Sequence, residues 1–166
     1  MSPLVHIPYH SNRDYRVRLS QRGLYALKAL AHLAEAHGRG LVKIHAIAEK
    51  ESIPEKFLEG ILVTLKNARV VASQRGREGG YRLRRPPEEI GIGDVARLID
   101  GPLAPFGDVV ELTQRVRTET RQPGLFDLLL EVRNAAAGIL DHTSLADLLA
   151  RNRRLLAQRG REARRP

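Results

Sequence analysis

The chain has 166 residues, no Cys, no Trp and 4% aromatics, which suits one small domain plus an assembly element around a Leu, Ile, Val and Ala core. A formal net charge of +9 and a sequence pI near 10.6 make a polyanion the first partner to consider. Lack of cysteine excludes disulfides and thiol chemistry, and neither a spanning apolar run nor a secretory leader is visible, so a soluble cytoplasmic protein without membrane contact is expected.

Residues 1–17 read as an N-terminal extension. Ser20 is placed to cap a first helix whose apolar stripe is Leu24, Leu27, Leu30, Ala31, Leu33 and Ala34, stopped by Gly38 and Gly40. A short second helix over 44–51 is expected to bury Ile44, Ile47 and Ala48. Ser52 and Glu55 have capping-box spacing with Pro54 in the first turn, and Glu55 is assigned to that cap rather than to a base contact. The third helix runs to Asn67 with Phe57, Leu58, Ile61, Leu62 and Leu65 inward. At Val70 the period changes. Residues 70–75 read as a strand, 76–80 as a turn and 81–83 as the return strand. A fourth helix over 93–99 points Val95, Leu98 and Ile99 inward.

Residues 101–123 are poorly patterned and are read as a regulatory loop with a short helical piece around 109–116. Periodicity returns in a long helix around residues 125–140, through Leu125, Leu128, Leu129, Val132, Ala136, Ile139 and Leu140. Beyond an already complete small domain, such a stripe is most simply buried by a second copy, so a homodimer through this helix is expected. Ser144 and Asp147 form another capping box opening a last helix, and residues 151–166 are an Arg-rich tail, either attracting phosphate or merely solubilising.

Three helices followed by a glycine-tipped hairpin is the order of a winged helix-turn-helix, giving a mainly α fold with a small β-hairpin wing over residues 18–100. If the third helix enters a major groove, Lys56, Glu59, Gly60 and Val63 fall on its outward side. Lys56 suits a phosphate or guanine, and Glu59 suits the amino group of cytosine; the bland alternative for Glu59 is pairing with Lys56 or Lys66 on a solvated face. In the hairpin, Gly76, Gly79 and Gly80 let the backbone approach a sugar–phosphate edge. Arg75 and Arg77 supply charge there, beside Tyr81. Arg82 shares an outward face with Arg84, as a phosphate contact or as solvated surface. Six histidines show no tight metal spacing, and no nucleophile–base pair, paired-carboxylate site or phosphate-cradling loop followed by a helix is present, so neither an enzyme nor a cofactor site is expected. Charge alone does not separate duplex DNA from structured RNA, and a winged-helix interaction scaffold would share this architecture; the basic third helix and hairpin favour duplex DNA.

The run from Arg18 through Ser20, Gly23 and Tyr25 to Leu27 resembles the opening of the IscR/NsrR/CymR family of transcription regulators, the Rrf-two family. So do Ile47-Ala48-Glu49, Ile53-Pro54-Glu55-Lys56-Phe57-Leu58-Glu59, Arg75-Gly76 with Gly79-Gly80-Tyr81, Arg85-Pro86-Pro87, Asp100-Gly101-Pro102 and Ser144-Leu145-Ala146-Asp147-Leu148. The resemblance implies a homodimer crossed through the long helix, imperfect palindromic operators, base reading through Lys56 and Glu59, and a wing from Arg75 to Tyr81. Many members hold an iron–sulfur cluster with three cysteines before the long helix. This chain has none there, and a third cysteine would fall near Pro123 and a histidine ligand near Phe126. Regulation is therefore expected from a small-molecule effector or a protein partner acting on residues 106–122 and the long helix, or from expression level alone. Some cysteine-poor relatives resemble the partner case, working through a metabolic enzyme that reports sulfur status. Arg77-Glu78 replaces a common Pro-Gly and Gly60 a frequent Gln, departures that bear on the preferred operator sequence, and the 17-residue leader is a further departure.

Overall fold

The computed structural model describes residues 19–101 and 108–163; the N-terminal extension and the last three residues lie outside them. Helices α1 (Gln21–Glu35), α2 (Ile44–Glu51) and α3 (Glu55–Asn67) precede an antiparallel hairpin, β1 (Val71–Gln74) and β2 (Gly80–Leu83). A one-turn 3-10 helix at Pro87–Glu89 leads into α4 (Ile92–Asp100), followed by α5 (Val109–Thr118), α6 (Pro123–Asp141) and α7 (Leu145–Glu162).

The core is aliphatic. Leu30 and Leu33 of α1, Ile47 of α2, and Leu58, Ile61, Leu62 and Leu65 of α3 are sealed from solvent, joined by Val71 and Leu83 of the hairpin, Val95 of α4 and Leu145 of α7. Full burial of one such side chain stabilises by roughly 1.5–3 kcal/mol. Three inward assignments fail. Leu24 and Phe57 are 49% and 47% exposed; the buried stripe of α1 runs instead through Gly23, Ala26, Leu27 and Leu30. Phe57 leans out of the core, edge-on to Tyr25 with ring centroids 5.8 Å apart. Leu98 is likewise exposed, while Ile92 and Ala96 are the buried partners of Val95.

Ser20 caps α1 as expected, accepting from the Gly23 amide. Ser52 does not cap α3. It ends α2 in the left-handed region (φ 53°, ψ 48°), with Ile53 N–H donating to the Ala48 carbonyl at 2.9 Å, and Pro54 is the residue before α3. The chain must reverse sharply between α2 and α3, and a left-handed residue followed by a buried apolar one closes a helix end in that way. The spacing that mimics a capping box arises from this stop. Glu55, without a cap to make, sits 3.5 Å from the His45 ring instead. The same device recurs at Arg69 (φ 59°), where Val70 N–H returns to the Leu65 carbonyl and turns α3 into β1.

The hairpin pairs Val71 with Leu83 and Gln74 with Gly80, and a single bridge from Val42 to Tyr81 ties it to the segment before α2. Beyond α4, the short helical piece expected around 109–116 is a ten-residue helix over 109–118, with Leu112 buried and Arg115 over the Phe126 ring of α6 at 5.5 Å. Helix α6 keeps Leu125, Leu128, Val132 and Ile139 in solvent, 51%, 55%, 42% and 65% exposed. Ser144 and Asp147 form the expected reciprocal capping box, and the Ser144 hydroxyl holds the Asp147 carboxyl below its ordinary value. Helix α7 then continues to Glu162, so most of the Arg-rich segment read as a tail is helical.

The two serines give opposite stability outcomes. Ser144→Ala removes a genuine cap and is expected to lower stability by about 1 kcal/mol. Ser52→Gly, in a left-handed position, is expected to hold stability or raise it by up to about 1 kcal/mol. Urea denaturation of both variants checks the pair. Because the Asp147 value is lowered, the cap's contribution is present at neutral pH and fades as pH falls through that lowered value. The deficit of Ser144→Ala should therefore shrink in acid.

Candidate nucleic-acid interface

Burying Leu58, Ile61, Leu62 and Leu65 decides what α3 shows to solvent. At 100° per residue these four define one side, and Lys56, Glu59, Gly60 and Val63 take the other. All four are exposed, Val63 at 51%. Nothing lies within 4 Å of a side chain that might be added at Gly60, so the helix backbone is bare there.

Beside this face lies a groove of about 490 Å³ between α3 and the hairpin. Val63 and Lys66 form its α3 wall, Lys43 and His45 approach from the start of α2, and Arg75 and Arg77 line the hairpin side. The groove also takes in Gly76, Gly79, Gly80 and Tyr81, whereas Lys56, Glu59, Gly60 and Arg82 stand outside it on exposed surface. The sequence pattern does not single out Lys43, His45 or Lys66 as groove residues. Lys43 and His45 belong to an element recognisable only by its buried residues, and Lys66 is visible there only as a partner for Glu59.

The glycines of the hairpin do separate work. Gly76 has φ +107°, a conformation other residues rarely adopt. A side chain at Gly79 would stand 2.8 Å from the Gly76 carbonyl oxygen, and one at Gly80 would stand 2.6 Å from that of Val42. Gly80 is buried and seats the hairpin against residue 42, while the tip with Arg75 and Arg77 is exposed.

Several cations on the sides of the domain are paired. Lys28 pairs with Glu51, Lys50 with Glu35, and Arg97 with both Asp94 and Asp141. Among the described residues, Lys43, Lys56, Lys66, Arg75 and Arg77 have no carboxylate within 4 Å, and Glu49 and Glu55 turn to His45.

A three-helix unit followed by a paired hairpin is an arrangement shared with known proteins. The profile described as "Iron-dependent Transcriptional regulator", Rrf2, matches residues 19–151. The chain belongs to the Rrf2 family of transcriptional regulators. The HTH-type regulator CymR of Bacillus subtilis is 35% identical over 132 residues, 80% of this chain and 89% of that protein. A Mycobacterium tuberculosis protein of the HTH-type regulator class is 40% identical over 134 residues, 80% of this chain and 81% of the relative. The solved structure of B. subtilis CymR, described as the global cysteine regulator, superposes with a TM-score of 0.69 over 80% of this chain and 96% of that one, at 33% identity. That of T. potens IscR gives 0.61 over 81% and 88%, at 30% identity. The fold is thus the winged helix-turn-helix of Rrf2 regulators, and no described helix is long and apolar enough to cross a membrane.

The iron in the family's description does not fit this chain's donors. Cluster iron is held mainly by thiolate, and the sequence has no cysteine. Residues 101–126 contain no histidine either, and among the described residues no three His, Asp or Glu side chains gather to hold a metal ion.

Two glycine substitutions separate the groove face from the hairpin seat. Gly60→Ala fills open space inside a helix and should raise stability by roughly 0.5–1 kcal/mol. Gly80→Ala meets the Val42 carbonyl and should lower the melting temperature clearly. Thermal melts followed by circular dichroism read both.

Proposed function

We propose that the protein is a homodimeric repressor that reads palindromic duplex DNA with α3 and its wing, without an iron–sulfur cluster. The observation that carries this reading is the juxtaposition of the bare, outward face of α3 with the unneutralised groove formed by Lys43, Lys66, Arg75 and Arg77. In the major groove Lys56 faces phosphate or guanine, Glu59 accepts from cytosine, and Gly60 and Val63 permit close apolar approach. The wing, Arg75 to Tyr81 with Gly76, Arg77, Gly79 and Gly80, follows the sugar–phosphate edge, and Arg82 adds charge on the outer face of β2.

The second copy is assigned to α6. Leu125, Leu128, Val132 and Ile139 recur at helical spacing on an exposed side of α6, a stripe too apolar to be left in water by choice. Two-fold pairing there presents two α3 helices to successive major grooves, about 34–36 Å apart for one helical turn. An effector, small molecule or protein, acts on α5 and α6, where the family places its cluster cysteines.

Glu59→Ala is expected to relax preference at one base position of a selected operator while leaving others intact. Arg75→Gln should weaken selected and unselected duplexes alike. Leu128→Asp with Val132→Asp should give a folded monomer by analytical ultracentrifugation with sharply reduced operator affinity. An unchanged sequence preference in Glu59→Ala, or a double variant that stays dimeric, would refute the corresponding assignment.

A further inference from the structure

The groove and wing occupy one flank of α3, the flank of Val63 and Lys66. The opposite flank, about 90° to the other side of the outward face, carries Phe57 and Thr64. Helix α1 meets it there. Arg22 Nη2 donates to Thr64 Oγ1 at 2.9 Å, and the same hydroxyl donates to the Gly60 carbonyl at 3.0 Å. Tyr25 stacks edge-on with Phe57, and Gln21 donates to the Tyr25 hydroxyl at 2.7 Å.

Arg22 is out of keeping with local helix preference. It lies in the first turn of α1, where the helix dipole disfavours a cation. The carboxylate at that helix end, Asp100, is committed to the Ser20 amide at 2.8 Å and to the Ser20 hydroxyl at 2.5 Å. Among the described residues no carboxylate lies within 4 Å of Arg22, unlike Lys28 further along the same helix. The guanidinium is exposed and gives only one of its five N–H groups to a neutral hydroxyl. That single bond holds it in place beside the base-facing turn of α3, so little side-chain freedom remains to be lost on binding.

We propose that Arg22 is a second phosphate-contacting edge of the DNA interface, positioned by Thr64 on the flank of α3 opposite to the wing. The inference rests on α3 being the groove helix, since a helix in a major groove has a phosphate backbone on each side. Arg22 then meets one strand and the wing the other, and Gly60, whose carbonyl Thr64 engages, is kept at a fixed depth between them.

The test uses the full chain with two probes: a duplex selected from random sequence by the wild-type protein, and an unselected duplex of equal length. Arg22→Gln is expected to weaken both by a similar factor, about tenfold, and to flatten the slope of log K against log salt by about 0.9 for each phosphate no longer neutralised. Arg22→Lys should keep the slope. Thr64→Val should keep the slope and weaken binding by a smaller factor, because the charge remains and only its anchor is removed. Arg22→Gln with unchanged affinity and slope overturns the proposal, as does an altered base preference at constant slope. If Arg22→Gln loses its fold, Thr64→Val decides, and wild-type affinity in that variant overturns the assignment. Wild-type selectivity with a weakened Arg75→Gln and an unaffected Arg22→Gln defeats this inference alone. Equal, salt-limited wild-type binding to both duplexes defeats the DNA reading, and this one with it.

Discussion

The proposed reading of DNA needs α3 gripped by one side and left bare on the other, and that grip is the constraint from which the rest of this molecule follows. Leu58, Ile61, Leu62 and Leu65 are buried against α1, α2 and the hairpin. Because they define one side of a helix only thirteen residues long, the opposite face has no freedom to turn. Two left-handed stops, at Ser52 and Arg69, fix where that helix begins and ends. The groove, the bare backbone at Gly60 and the flank touched by Arg22 are all consequences of this rotation.

The distal helices are tied to the winged domain by equally specific contacts. Helix α7 enters the core through Leu145, whose amide donates to the Ile90 carbonyl, while Ile92 N–H donates to the Thr143 carbonyl. Arg97 of α4 is clamped between Asp94 and Asp141, the last residue of α6. A side chain at Gly93 would run into Asp141 and sit 3.2 Å from the Leu140 carbonyl carbon, so α4 and the end of α6 are tightly packed. The helix bearing the exposed leucine stripe therefore leaves the winged domain from a well-anchored point. The end of α6 is thus joined to α4, whose last residue, Asp100, in turn binds Ser20 ahead of α1.

Much of this is legible in the residues, and the reason differs from one element to the next. Helices α2, α3 and the hairpin are placed to within a residue or two because their apolar periods are short and bounded by Gly, Pro and turn residues. The outward face of α3 follows from the same period. Phe57 misleads because an aromatic at helical spacing reads as core, yet here its ring is satisfied by Tyr25 at the domain edge. Ser52 misleads because a left-handed stop and a capping box share the same spacing. Helix α5 shows only faintly, as a short helical piece, because its charge leaves one buried residue, Leu112, in ten. Helix α7 reads as short because arginines after Leu149 break the apolar pattern without breaking the helix. Arg22 is visible as a cation in a first turn, but its partner Thr64 lies 42 residues away and only the fold brings them together.

Charge, finally, is informative here by where it is left uncancelled rather than by its total. A net charge of +9 spread evenly would give a weak, non-selective attraction to any polyanion. Instead several carboxylates have particular partners: Glu51 and Glu35 hold lysines on the sides of α1 and α2, Asp94 and Asp141 hold Arg97, Asp100 holds Ser20, and Glu49 and Glu55 face His45, while Glu59 on α3 and Glu78 in the hairpin pair with no described cation. Among the described residues of the winged domain, Lys43, Lys56, Lys66, Arg75, Arg77 and Arg22 lie around α3 with no carboxylate within 4 Å, and Arg39, Arg69, Arg82, Arg84 and Arg85 are likewise without one. Desolvating a paired cation against phosphate requires the pair to be broken first; an unpaired one meets no such barrier. A surface that pairs Lys28, Lys50 and Arg97 on the sides of α1, α2 and α4, yet leaves cations without a carboxylate along both flanks of one exposed helix, has charge available there for a partner. In the proposed reading, the two phosphate backbones flanking a major groove supply that partner.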